Sequence, residues 1–348
     1  MKNFIPASHP GFQYIGRFHR TNGDKARFAY PGSCIKVKFT GNTLIIHIKD
    51  FIDGDYTQDE TYQGNYLNVI VDNSITVLPL SSKLTKFPID VNSHSEVHTL
   101  EIYKRTEGFV GFCEFEGIEL DENAEILEPG KNNQKIIFIG DSVTCGYGNE
   151  ENSPYLSFSS QKENAYLSYP AIVARNFNTD AHLIAYSGKG VAQNSDGIKH
   201  NTLPEIYSRV YPDSTGVNWN HKLFQPDLIC INLGTNDFFS GVDLIKFTDC
   251  YLDFIIRLSK KYPESKFLLV LGPVLNDSLP ENALRICRVM MEDIILQIQL
   301  LKTIKIEMFE LSQQTGELGY GTHKHPSVAQ HIKNANELTA FLKNYLEW

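Results

Sequence analysis

Ser142 stands at the end of an apolar run, Lys135-Ile-Ile-Phe-Ile-Gly-Asp-Ser142, and is followed by small residues, Val-Thr-Cys-Gly-Tyr-Gly148. Four apolar residues without alternation read as a parallel strand covered on both faces, and Gly140 permits the sharp exit that a strand-to-helix turn needs. That places Ser142 beyond the carboxyl end of a strand, where open α/β sheets keep their sites. A serine hydroxyl becomes a useful nucleophile only when a base takes its proton and donors hold the oxyanion it creates. Both turn up downstream. Asp227-Leu-Ile-Cys-Ile-Asn-Leu-Gly234-Thr-Asn236-Asp237 is a second buried-strand run, and it brings the Asn236 amide to the same edge as an oxyanion donor. His182-Leu-Ile-Ala-Tyr-Ser-Gly188 ends a third run in a glycine whose N–H can approach a ligand with no side chain in the way. Gly321-Thr-His-Lys-His325-Pro326-Ser327 precedes a helical pattern and offers His325 as base, with Pro326 fixing its own φ beside it.

The elements that must position these residues follow an alternating pattern. Buried strands at 135–139, 182–186, 227–233, 266–271 and about 304–309 are interleaved with helical periodicity at 165–176, 243–261, 281–302 and 327–344, which specifies a doubly wound α/β domain with a parallel sheet. From about Gly11 to Asp121 the chain reads instead as all-β. Cys34–Phe39, Thr43–Ile48, Tyr66–Val71, Thr99–Tyr103 and Phe112–Leu120 are rich in β-branched and aromatic residues, with turns at Pro31-Gly32, Gly41-Asn42 and Asp72-Asn73. A β-sandwich follows. The polar stretch from Leu127 to Asn133 separates the two, giving a β-domain at 1–128 and an α/β domain at 129–348. The segment from Glu150 to Gln161, rich in serine, reads as a surface loop and a candidate rim of the site.

With these blocks in place the chain resembles a known superfamily. The order Gly-Asp-Ser142, Gly188, Gly234-Thr-Asn236-Asp237, His325-Pro326 is similar to that of the SGNH (GDSL) hydrolases. Tyr14–Phe18, Arg27–Ser33, Ile48–Asp50 and His98–Glu107 resemble the N-terminal β-domain of carbohydrate esterase family 2, the two-domain acetylesterases of plant polysaccharides. The resemblance implies a jelly-roll-like sandwich before an SGNH-type domain, and removal of O-acetyl groups from xylan, mannan or related poly- and oligosaccharides. It implies Ser142 as nucleophile, His325 as base, and Ser142 N–H, Gly188 N–H and Asn236 as oxyanion hole.

One departure bears on mechanism. Members of the superfamily usually carry an Asp three residues before the histidine, or in this family an Asp two before it with an aromatic residue between. Here those positions hold Thr322, His323 and Lys324. The expectation is therefore a Ser142–His325 pair whose imidazole is oriented by a carbonyl of the 321–324 loop, with Glu317 kept as a distant carboxylate. Lys324 in place of the aromatic residue removes a surface for sugar stacking and implies a wider site. Asp141, Trp219 and Lys324 are the candidates for touching substrate. Asp141 reads as readily as a residue that ties up the elbow backbone, and Trp219 as filler between domains. Cys145 reads as packing, and His331 as facing helix packing or solvent. No metal site is expected around His323, His325 and His331, since no Cys or acidic ligand lies near them in sequence, and no cofactor is called for.

Composition limits the partners. A formal net charge of −9 without any Lys/Arg-rich run argues against nucleic acid and anionic membrane, whereas a neutral acetylated sugar needs no basic footprint. No stretch approaches the roughly 20 apolar residues of a membrane span, and no obligate protein partner is evident. The six cysteines are scattered and read as buried hydrophobes in a reducing compartment. Met1–Pro10 lacks the apolar core of a secretory signal, so the expected location is cytoplasmic, or secreted or periplasmic had a leader been removed. Two other functions compete with the esterase: a carbohydrate-binding protein with an inactive hydrolase domain, and a lipid or thioester hydrolase on the same fold.

Overall fold

In the computed structural model residues 2–21, 24–52, 64–81, 83, 85–91, 95–278, 280, 282–301 and 304–348 are described. The chain divides into two units, Met1–Lys131 with Ser159–Tyr166 and Arg209–Asn218, and Asn132–Phe158 with Leu167–Ser208 and Trp219–Trp348. A division at 128/129 misses that two later segments fold with the first unit. Those segments hold only single 3-10 turns at Ser160–Lys162 and Ala165–Leu167 and an isolated Arg209–Asn218 bridge, too short to report where they pack.

The first unit contains strands β1 (Lys2–Pro6), β2 (Gln13–Ile15), β3 (His19–Thr21), β4 (Lys25–Phe28), β5 (Cys34–Thr40), β6 (Thr43–Ile52), β7 (Tyr66–Val71), β8 (Ser74–Pro79), β9 (Lys86–Asp90), β10 (Val97–Lys104), β11 (Gly111–Asp121) and β12 (Ile126–Leu127). They form two antiparallel sheets, β3-β4-β11-β6-β9 with β1 along β11, and β12-β5-β10-β7-β8 with β2 along β5. Alternation along β5 and β10 turns Ile35, Val37, Phe39, Leu100 and Ile102 into the same core as Ile46, Ile48 and Phe115 of the other sheet, which makes a sandwich. β11 bulges between Phe115 and Gly117. A side chain at Gly117 would run into the carbonyl of Ile5, so the bulge needs glycine. The later segments are tied in by hydrogen bonds: Glu163 Oε2 accepts the N–H of Glu107 at 3.1 Å, and the Arg209 carbonyl accepts from the Arg17 guanidinium at 3.0 Å.

The second unit is built on five parallel strands, β13 (Lys135–Gly140), β14 (Asp180–Ala185), β15 (Leu228–Asn232), β16 (Lys266–Leu271) and β17 (Ile306–Glu310), in the order β14-β13-β15-β16-β17. Its helices are α1 (Ser142–Cys145), α2 (Tyr169–Asn176), α3 (Leu203–Ile206), α4 (Thr235–Phe239), α5 (Leu244–Lys261), α6 (Ala283–Leu301) and α7 (Val328–Leu346). The near-total burial of β13 through β16 and the pairing of α2 with α7 and α5 with α6 fit a sheet covered on both faces. The chain runs from β13 out to β14 and then back across to β15, so the connection reverses between β13 and β15 and opens a crevice at their carboxyl ends. Sequence periodicity finds all five strands and the four long helices. It misses α3 and α4, which are too short to show a period, whereas α1 is announced by the strand-to-helix turn at Gly140, and residues 281 and 302 of the expected third helix lie outside the described residues. Among the described residues no helix is long and apolar enough to cross a membrane.

Candidate active site

Ser142 is delivered by packing. Ile136, Ile137, Phe138 and Ile139 are at most 1 % exposed and fix β13 between its neighbours. Gly140 then turns the chain: a Cβ there would collide with the Thr144 hydroxyl. Asp141 caps the short helix, its Oδ1 accepting the Val143 N–H at 3.0 Å. As the first helical residue, Ser142 has an N–H with no intrahelical acceptor, which suits it to receive an oxyanion. The helix closes at Gly146 (φ +79°), and the N–H groups of Gly146 and Tyr147 both donate to the Ser142 carbonyl at 3.1 Å.

His325 is delivered by a loop. Its Nε2 lies 2.8 Å from Ser142 Oγ, and its Nδ1 lies 2.9 Å from the Thr322 carbonyl oxygen. A carbonyl can only accept, so Nδ1 carries the hydrogen and Nε2 faces the serine as a bare acceptor. The backbone N–H of His325 donates to the same carbonyl at 2.9 Å, and Gly321 N–H donates to His325 O at 2.8 Å. Two bonds fasten this loop to the turn after the nucleophile: Thr322 N–H to Gly148 O and Val328 N–H to Asn149 O, both 3.1 Å. The approach needs two glycines. A Cβ at Gly148 (φ +53°) would sit 2.4 Å from the Thr322 side chain, and one at Gly321 would sit 2.5 Å from the Gly148 carbonyl. His323 (φ +51°) and Lys324 (φ +60°) are both left-handed, a strained pair of the kind that collects at functional sites. Gln314 Nε2 holds the Lys324 carbonyl at 2.7 Å. Burial pushes the His325 imidazole down to about 4; the hydrogen bond to Thr322 works against that, and the neighbouring His323 adds to it. The ring is neutral and basic-side available at neutral pH.

Asn236 stands at the start of α4 after β15. Its Nδ2 donates to Lys189 O at 2.9 Å and makes a long 3.4 Å contact with Asp141 Oδ2. One amide hydrogen is thus anchored and the other is weakly held, an arrangement able to serve an oxyanion. Asp237 organises the turn that bears Lys189: its carboxylate accepts the N–H groups of Val191, Ala192 and Gln193 at 2.7–2.9 Å, while burial pushes its pKa up to about 6. Gly188 (φ +75°) lies beside Lys189 in that turn.

Around Ser142 and His325 opens a cleft of about 460 Å³ lined by Val143, Thr235, Asn236, Phe239, Val274, Asn276, Gln314, Tyr320, His323 and Lys324. Of the sequence candidates, Ser142, Asn236, Lys324 and His325 line it; Asp141, Gly188 and Trp219 do not. Asp141 is buried as a cap. Trp219 lies off the cleft and is half-buried: its ring meets His182 edge-on at 5.7 Å, and His182 stacks on Phe224 at 3.7 Å. Nothing from Glu150 to Gln161 lines the cleft, and Phe158 stacks instead on Tyr147 at 4.6 Å. Glu317 is exposed, and His331 is buried with its Nδ1 accepting the Tyr169 N–H at 3.2 Å. Asn276, Gln314 and Tyr320 follow β16 and β17, and the rule that sites gather at carboxyl strand ends was the signal that could have nominated them.

A family model described as GDSL-like Lipase/Acylhydrolase matches residues 136–338, and one described as Carbohydrate esterase 2 N-terminal matches 14–129. A family two carbohydrate esterase from Clostridium thermocellum, solved in complex with cellohexaose, is 32% identical with a TM-score of 0.87 over 97% of this chain and 100% of that one. The chain belongs to carbohydrate esterase family 2, within the GDSL-like hydrolases. It is 34% identical to the cellulase/esterase CelE of Acetivibrio thermocellus over 98% of its own length, but spans only 40% of that relative. It is 26% identical to an acetylxylan esterase / glucomannan deacetylase of Cellvibrio japonicus over 99% of this chain and 91% of the relative.

Proposed function

We propose that this chain removes O-acetyl groups from hydroxyl-rich plant-type poly- or oligosaccharides through an acetyl-serine intermediate. The observation that carries the reading is the 2.8 Å contact of Ser142 Oγ with the unprotonated nitrogen of a histidine whose other nitrogen is fixed on a carbonyl. Ser142 Oγ attacks the acetyl carbon as its proton passes to His325 Nε2. The Ser142 N–H and the Asn236 amide receive the oxyanion, and the Gly188 N–H, in the turn set back from the cleft beside Lys189, is the third donor that the family pattern assigns. His325 returns the proton to the departing sugar oxygen, and a water activated by the same imidazole then releases acetate. The Thr322 carbonyl takes the place that an aspartate holds in a triad. Asn276, Gln314, Tyr320 and Lys324 offer hydrogen-bonding groups to sugar hydroxyls, and Phe239 and Val274 supply apolar surface to a short acyl group. The test is acetate release from acetylated xylan and glucomannan, alongside aryl esters of increasing acyl length, by the intact chain and by Ser142→Ala. Preference for long acyl chains, or no acetate from any polysaccharide, would overturn the reading.

A further inference from the structure

Tyr147 belongs to neither the nucleophile, the base nor the oxyanion donors, yet it is held against two of them. Its N–H donates to the Ser142 carbonyl at 3.1 Å, which anchors it to the nucleophile's own turn. Its ring centroid lies 4.5 Å from that of His325 at an interplanar angle of 43°. Phe158 stacks on the same ring at 4.6 Å and 27°, and the phenol oxygen lies 3.2 Å from His323 Nδ1, so the ring is braced at both its face and its tip.

The reaction proposed above asks for a cation beside this ring twice. As the bond from Ser142 Oγ to the acetyl carbon forms, the proton on Oγ moves to Nε2 and the imidazole becomes positive; the charge is discharged when that proton passes to the sugar oxygen as the ester C–O bond breaks. The same sequence recurs with water as the attacking group. A triad aspartate meets that charge with a full negative charge, whereas the Thr322 carbonyl offers only a dipole. The face of an aromatic ring attracts a cation within about 6 Å of its centroid, more strongly where water is excluded.

We propose that Tyr147 is a positioning residue of this reaction, whose ring stabilises His325 in its protonated form and makes up part of what the absent carboxylate would give. This rests on the reading of Ser142 and His325 as nucleophile and base. A ring that only filled space would be replaceable by any side chain of similar bulk; a ring acting through its π-electrons would not.

The experiment uses the intact chain with Tyr147→Phe as the first member of a series, followed by the 4-fluoro, 3,5-difluoro and 3,4,5-trifluoro analogues of that phenylalanine, which drain the ring face at nearly constant size. Tyr147→Leu is the bulk control. On an aryl acetate, kcat is expected to fall stepwise over the series, by about tenfold in total with KM within twofold, and Tyr147→Leu to fall at least as far while melting near the wild-type temperature. A flat series, a Leu variant as active as the Phe variant, or a change confined to KM would overturn the proposal. His325→Ala on the same substrate separates the two readings: if it keeps activity, the assignment of the base is wrong, and if it is inactive beside a flat fluorine series, only the role of Tyr147 is.

Discussion

Ser142 and Asn236 leave the ends of adjacent strands in register, with Gly140 opposite Asn232 and the side chains behind them almost wholly buried. His325 has no such support: it lies in an irregular loop between β17 and α7, tied by backbone hydrogen bonds to Gly148 and Asn149 and carrying two left-handed residues just before it. On one side of the cleft, position is set by a close-packed sheet, which distributes any disturbance over many contacts. On the other it depends on a few bonds that only two glycines allow. The two sides should therefore respond differently to substitution.

At the reacting atoms themselves the sides are equal. Ser142→Ala and His325→Ala should each lower kcat by about 10⁴ or more on an aryl acetate, with melting temperatures near wild type, because the two act as one unit. Turnover and thermal melting of both variants test this, and a large difference between them would show that the serine works without its partner. The pH profile belongs to the same prediction. His325 must be neutral to accept the proton, and its pKa is held down at about 4 against an ordinary 6.5, so kcat/KM should persist below pH 6.5 and decline only as pH falls through about 4.

Next in size is the sheet-supported donor. Asn236→Ala should lower kcat by about 10²–10³ with little change in KM, the usual effect of losing one oxyanion donor. An unchanged kcat would leave Asn236 as a partner of the Lys189 carbonyl and no more.

The same contrast governs how much was legible in the sequence. The sheet side announces itself: apolar runs stopping at Gly-Asp-Ser142 and Gly-Thr-Asn236 mark strand ends, and strand ends in an open α/β sheet mark the site. His325 could be nominated by its type and by Pro326, and the want of a carboxylate at 322–324 by inspection, but the carbonyl that substitutes for it is named only by the fold. Tyr147 was not legible at all, since a tyrosine in a glycine-flanked turn carries no sign of what it will face. Trp219 shows the opposite case: an aromatic side chain suggests a sugar as readily as packing, and the fold sets it off the cleft with its ring against His182.

On the loop side, Gly148→Ala and Gly321→Ala should each cost roughly 1–3 kcal/mol of stability, as overpacking of a tight contact does, and about tenfold in kcat as the His325 loop is displaced. The matching substitution on the sheet side that spares the reacting atoms, Ile137→Val, should cost about 0.5–1.5 kcal/mol with kcat nearly unchanged. Denaturation curves and kcat for the three variants test the contrast; equal effects on kcat would show that the loop is held by more than its glycine contacts.

The smallest effect concerns the missing acid. If the Thr322 carbonyl orients His325, no remote carboxylate is needed, and the two glutamates that most closely precede it in sequence have other circumstances. Glu310 is engaged by Arg288 through a pair of bonds at 2.8 and 2.9 Å, and Glu317 is exposed on the loop before Tyr320. Glu317→Gln should change kcat by less than about twofold. Glu310→Gln should do no more to kcat while lowering stability slightly, because a half-exposed ion pair contributes roughly 0–1 kcal/mol. Neutralising a triad aspartate costs about 10⁴ in kcat, so the two possibilities differ by far more than any assay error. A collapse of kcat at either position would mean that the loop rearranges to bring that carboxylate to Nδ1 when substrate binds, and that the base side of the site is completed during turnover and not held ready beforehand.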